Sequence, residues 1–186
     1  MVTFGAKGYY NGSLAEVAQQ VGITRAGVLH HFGSKDQLLL EVLEYRDRAD
    51  VEHLEGQQPP TGLDLFRHLI ATARANMERP GIVQTYTVLS AESVTDAHPG
   101  QAWFRARYQG LRTLLVESLE QLCGPDRQPA DPTIEAAAEA IIAVMDGLQI
   151  QWLLDPDAVD LAQSTAFAIE AILAAAMSPR ERPASL

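Results

Sequence analysis

The stretch GITRAGVLHHFGSK, Gly22 to Lys35, contains Arg25, Lys35 and the pair His30–His31 but no acid, in a chain with 24 acidic and 14 basic side chains. Two chemistries would account for it: a catalytic or metal-binding histidine cluster, or a surface that meets an anion. Adjacent residues on a helix stand about 100° apart, so His30 and His31 cannot readily share one metal. The usual i, i+4 spacing fails too, because Ser34 occupies the position four residues after His30. No nucleophile elbow, phosphate-binding loop, zinc-protease motif or dinucleotide fingerprint appears anywhere. The anion reading uses every polar group at once. A helix opening with Thr24 and Arg25 can approach base edges, while His30, His31, Ser34 and Lys35 can approach phosphates.

Working outward, Ser13 followed by Glu16 is a capping-box pattern, which predicts a short helix over LAEVAQQV with Leu14, Val17, Ala18 and Val21 on one face. Gly22 ends it. Thr24 caps a second short helix, RAGVLHHF, and Ser34 with Gln37 opens a long third one, KDQLLLEVLEYRDRADVEHL. Paired prolines and glycines make GQQPPTG a linker. Beyond it, helical spacing is expected in LDLFRHLIATARANMER, in IVQTYTVLSAES, from Pro99 through Leu122, and over roughly Thr133 to Leu154 and Asp157 to Met177. Asp155-Pro156 alone is expected to separate the last two, which makes them antiparallel neighbours. CGPDRQPADP reads as a loop and SPRERPASL as a polar tail. No segment shows the alternation of a strand, so the fold class is all-α.

Composition narrows the function. Lys7, Arg25 and Lys35 against Glu16 give residues 1 to 35 a charge of +2, which leaves −12 of the total −10 for the remainder. A slightly basic end on an acidic body can meet a polyanion locally while the body suppresses unspecific binding. The single cysteine, Cys123, cannot close an internal disulfide and suits a reducing, cytoplasmic setting. No apolar run is expected to approach the roughly 18 residues of a membrane span, and the N-terminus lacks a secretory pattern. Neither cofactor nor membrane partner is expected.

GYYNGSLAEVAQQVGITRAGVLHHFGSKDQLL resembles the DNA-binding region of the tetracycline-repressor (TetR) family of transcriptional regulators, in which a G-Y stretch precedes a helix-turn-helix and H-F-x-S-K begins the fourth helix. The match covers about residues 4 to 44. It implies that Thr24 to Phe32 form the recognition helix, with Thr24, Arg25 and Gly27 nearest the base edges. Ser13, His30, His31, Ser34 and Lys35 become DNA-backbone candidates. Leu29 and Gly27 depart from the family, where a tyrosine and a hydroxyl- or methyl-bearing residue commonly stand. The first helix is short, and the chain is expected to be a truncated form of a longer product. The resemblance divides the chain into a helix-turn-helix domain, residues 1–48, a regulatory and dimerisation domain, 49–177, and the tail, 178–186.

The last two helices are apolar over a broad arc. Paired with those of a second copy they would make a four-helix interface, for which Ile141, Met145, Leu148, Trp152, Ala162, Ala166, Ile169 and Leu173 are the candidates. Such a homodimer would hold two recognition helices roughly 34 to 36 Å apart on a palindromic operator of double-stranded DNA. By the same resemblance, Met77, Tyr86, Leu89, Trp103, Phe104, Tyr108, Met145, Gln149 and Trp152 are candidates to line a pocket for a small lipophilic or aromatic effector. Ordinary core packing would also explain both sets. The expected function is a ligand-responsive repressor. The alternatives are an all-α sequestering protein with weak or lost DNA binding and, more distantly, an enzyme using His68 or His98.

Overall fold

The computed structural model describes residues 1–51, 60–123 and 132–177, with residues 49–51 described in backbone alone. Among the described residues every regular element is helical: α1 Val2–Asn11, α2 Leu14–Val21, α3 Arg25–Phe32, α4 Lys35–Val51, α5 Leu63–Met77, α6 Pro80–Glu92, α7 Gln101–Cys123, α8 Pro132–Leu154 and α9 Leu161–Met177. The chain divides into two compact units. The first comprises Met1–Gln57 and Arg79–Arg107, and the second Gln58–Glu78 and Tyr108–Leu186.

In the first unit the capping signals act as the sequence predicts. The Glu16 N–H donates to Ser13 Oγ at 3.2 Å and the Ser13 N–H donates to Glu16 Oε2 at 3.0 Å, which fixes the start of α2. Gly22 ends it in the left-handed region (φ 73°). Thr24 Oγ1 accepts from the Gly27 N–H and Ser34 Oγ from the Gln37 N–H, both at 3.0 Å, which starts α3 and α4. Phe4, Leu14, Ala18, Val28, Leu38, Leu39 and Leu43 are buried. The main partner of α1 is α6. Their backbones come so close that a Cβ on Gly5 would lie 2.7 Å from Oγ1 of the buried Thr85.

Two boundaries in this unit differ from the sequence expectation. α6 begins two residues earlier, because Pro80 sits in its first turn, where a missing N–H costs nothing. α7 begins at Gln101 rather than Pro99. The Gly100 N–H is taken by the ring Nδ1 of His98 at 3.1 Å and Ala97 is left-handed (φ 61°), so the HPG stretch is a turn.

In the second unit α9 packs on both α8 and α5. Leu65, Phe66, Leu115, Leu119, Ile134, Ala137, Ala138, Ile141, Ile169, Leu173 and Ala176 form its core. Six residues, not two, separate α8 from α9. Asp155 Oδ1 accepts from the Ala158 N–H and Asp160 Oδ1 from the Gln163 N–H, so Asp157 to Asp160 is turn and cap rather than helix. Most of GQQPPTG, most of the loop after Cys123 and the tail from Ser178 lie outside the described residues, as does the expected end of the fourth helix beyond Val51.

The expectation that no apolar run reaches membrane-spanning length needs correction. α8 is 23 residues long, with a window of mean hydropathy 1.3, enough by length and composition to cross a bilayer. The sequence reading missed it because alanines between the larger apolar residues keep the run from standing out. Ile134, Ala137, Ala138 and Ile141 pack into the core of the second unit, while only 28% of the apolar window is buried.

Candidate nucleic-acid interface

The two short helices α2 and α3 pack against each other across the Gly22–Thr24 turn, and α3 packs on α4. Val28 is the one buried residue of α3, at 1% exposure. Of the other seven residues of α3, Arg25, Ala26, His30 and His31 are exposed and Gly27, Leu29 and Phe32 half-buried. Arg25 occupies the first helical position after the Thr24 cap. His30 and His31 lie in the last turn, where a helix favours cations, and their rings meet edge-on at 5.8 Å. A Cβ on Gly27 would find only ordinary contacts, 3.5 Å from Thr24 Oγ1 and 3.7 Å from Ile23.

The structure therefore gathers Thr24, Arg25 and Gly27 at one end of α3, and His30 and His31 at the other. Ser13 and Ser34 stand at the starts of α2 and α4, each spending an acceptor lone pair on its cap. Lys35 is half-buried. Its ammonium lies 4.4 Å from the centre of the Tyr9 ring and donates to the Tyr10 carbonyl at 3.3 Å, so it has structural partners within the unit. Lys7 is paired with Glu16, and this contact holds the Glu16 carboxyl below its usual range.

Sequence reasoning missed the groups that brace these helices. Tyr9 donates its hydroxyl to Asp36 on α4, and burial followed by that acceptor pushes its pKa up to about 12. The Tyr9 backbone N–H donates to Glu92 Oε2 at the end of α6, at 2.5 Å. The His98 ring meets those of Tyr9 and Tyr10 edge-on at 5.2 and 5.5 Å. Burial pushes His98 down from the usual histidine range, against smaller upward pulls from Glu92 and Asp36. GYY was visible as a motif, but nothing in its spacing pointed 83 residues ahead to Glu92.

The pocket candidates divide between the units. Tyr86, Leu89 and Phe104 are buried in the first, where half-buried Trp103 stacks edge-on against Phe104 at 5.0 Å and the Arg46 guanidinium lies 4.2 Å from the centre of the Tyr86 ring. In the second, Tyr108 donates to Asp146 at 2.6 Å, Gln149 and Trp152 are buried, and Met145 is half-buried against the core. Met77 lines an open groove of about 600 Å³ between α5 and α9, with Ile70, Ala162 and Ala166 on its floor.

Several interface candidates are occupied within their own chain. Ile141, Ile169 and Leu173 belong to the core of the second unit, and Trp152 and Ala162 are buried. Met145, Leu148 and Ala166 are half-buried. The exposed apolar surface of these helices is carried instead by Ala143, Ile150 and Leu154 on α8 and by Phe167, Ala171 and Ala174 on α9. A helix apolar all round gives no periodicity that separates its inner from its outer face.

Comparison with known proteins agrees with this architecture. Residues 1–42 match the family described as "Bacterial regulatory proteins, tetR family", and residues 64–176 match "BetI-type transcriptional repressor, C-terminal". The chain is 28% identical over 171 residues to the HTH-type transcriptional regulator BetI of Agrobacterium fabrum, covering 88% of this chain and 78% of that protein. It is 25% identical over 169 residues to the HTH-type transcriptional regulator TtgR of Pseudomonas putida, covering 85% and 78%. It is also 25% identical over 172 residues to the HTH-type transcriptional regulator AcrR of Shigella flexneri, covering 85% and 76%. These relatives are regulators of transcription and not enzymes. With both halves matched and the helix-turn-helix in place, the chain belongs to the tetR family of bacterial regulatory proteins, and is a DNA-binding transcriptional regulator.

Proposed function

We propose that the protein is an effector-released repressor that binds a palindromic operator as a homodimer. The observation that carries this reading is α3: one buried side chain anchors it, and its exposed surface holds Arg25, His30 and His31 without an acid. In a helix-turn-helix the second helix enters the major groove by its N-terminal residues. Arg25 is then placed to read a guanine edge, with Thr24 and Gly27 beside it. Ser13, His30, His31, Ser34 and Lys35 serve phosphates, which position the domain without carrying sequence information.

Two such helices reach successive half-sites only if two chains associate. The exposed apolar residues of α8 and α9, with Leu154 at 81% and Phe167 at 74% exposure, supply a surface for a second copy. The buried aromatic residues Tyr86 and Phe104, with Trp103, favour a lipophilic or aromatic effector. An effector that binds the DNA-free arrangement more tightly would shift the population away from the operator. The setting that fits this function is the cytoplasm.

The test is fluorescence anisotropy with duplexes from the genomic neighbourhood at two salt concentrations. One inverted repeat bound far above random DNA, at two chains per duplex, is the expected result. Binding that is weak, salt-sensitive and indifferent to sequence would favour a sequestering protein.

A further inference from the structure

The connection between α1 and α6 rests on a carboxylate. Gly8 breaks α1 with φ 71° and ψ −176°, a conformation that side chains rarely adopt. Position 8 has no room either, because a Cβ built there would overlap the carboxylate of Glu92. At a break in the helical ladder an N–H must find a partner outside the helix. The Tyr9 N–H finds Glu92 Oε2 at 2.5 Å. An ionised acceptor makes this bond stronger than one between neutral groups. Behind it, the buried Nε2 of His98 lies 3.9 Å from the same oxygen.

The residues on either side carry this fixed point into the helix-turn-helix. The Gly12 N–H returns to the Gly8 carbonyl, and the next residue, Ser13, caps α2. Towards α4, Tyr9 donates its hydroxyl to Asp36, and Lys35 donates to the Tyr10 carbonyl. The start of α2 and the start of α4 are therefore both referred to the segment Gly8 to Tyr10, through the Gly8 carbonyl on one side and the Tyr9 hydroxyl and Tyr10 carbonyl on the other, and α3 is suspended between those two helices.

We propose that Glu92 is a positioning residue for DNA recognition: its carboxylate, seated in the notch left by Gly8, pins the elbow of α1 to the last turn of α6 and so sets the aim of α3. The proposal rests on the DNA-binding role assigned above. It gives Glu92, a residue outside the helix-turn-helix, control over sequence discrimination rather than over charge attraction to DNA.

The test compares the wild-type chain of 186 residues with Glu92→Ala and Glu92→Gln. Binding to an operator duplex selected by the wild type and to a random duplex is measured well below each thermal midpoint, together with hydrogen exchange of the Tyr9 amide. Glu92→Ala should speed Tyr9 exchange and weaken operator binding about tenfold, on the scale of a lost charge-assisted bond, with random-duplex affinity within about twofold. Glu92→Gln, whose amide oxygen still accepts, should recover most of the operator affinity. Unchanged Tyr9 exchange in Glu92→Ala would overturn the proposal. Faster exchange with undiminished operator binding would overturn it too, as would equal losses on operator and random DNA. If the wild type preferred no duplex, the regulator reading would fail by itself. Exchange across residues 13–44 would then decide the pin: acceleration there supports it, and acceleration confined to α1 overturns it.

Discussion

The backbone N–H of Tyr9 reaches the Glu92 carboxylate only because Gly8, one residue earlier, has neither a side chain nor an ordinary backbone conformation. Gly8→Ala should therefore lower stability by about 1 to 3 kcal/mol, from backbone strain and displacement of the carboxylate. Denaturant titration gives the number. A Gly8→Ala/Glu92→Ala double variant that costs less than the two single changes together would show that the residues are coupled.

Gly27 should behave oppositely. It has helical backbone and its Cβ would meet only ordinary contacts, so Gly27→Ala should raise stability by up to about 1 kcal/mol through helix propensity. Operator selection with this variant should shift the preferred base at one position per half-site, read by sequencing the bound duplexes.

Arg25→Ala should cost about 1 to 3 kcal/mol on the operator and relax the choice at one base pair. Its thermal midpoint should hardly move, because Arg25 is exposed and caps nothing. Equal loss on operator and random DNA, measured by anisotropy, would show that it serves only as a charge.

Lys35→Ala should weaken binding to all sequences alike and flatten the dependence of log affinity on log salt by about one unit. A second effect follows from its place against Tyr9: unfolding should cost less by about 0.5 to 1 kcal/mol, the scale of an exposed cation–π contact.

Acid should loosen the bracing around His98. Burial holds its folded pKa below the unfolded value of about 6.5, so between the two values the unfolded chain carries the extra proton. The stability it contributes is complete above about pH 6.5 and declines as the pH falls from there towards the lowered pKa. Protonating Nδ1 would also break its bond from the Gly100 N–H. Unfolding midpoints measured from pH 7.5 to 5 should fall in the wild type, and His98→Gln should flatten that slope.

The sequence yields some of this structure and not the rest, for physical reasons. Caps are local: Ser13, Thr24 and Ser34 each bond three residues ahead, so the starts of α2, α3 and α4 were legible to the residue. A proline or an aspartate has two readings within a few residues, and the starts of α7 and α9 were misplaced for that reason. The bracing of the helix-turn-helix was not legible, since Glu92 and His98 lie in a distant segment and only folding brings them to Tyr9. On α8 and α9, apolar residues on nearly every face hid which ones the chain uses for itself.

Ser13, Thr24 and Ser34 share a further property. In each, a lone pair of the hydroxyl oxygen accepts a backbone N–H, and the hydroxyl hydrogen is left over for a partner outside the helix. A phosphate oxygen takes only hydrogens. In the proposed DNA-bound state, the bonds that start α2 and α4 would thus orient the hydroxyls that Ser13 and Ser34 offer the DNA backbone, and the bond that starts α3 would orient that of Thr24 beside the base edges. In the proposed role, Ser13→Ala or Ser34→Ala would loosen the helix start and the grip on DNA together, whereas Ser13→Asp or Ser34→Asp would keep the cap and repel the phosphate, separating the two.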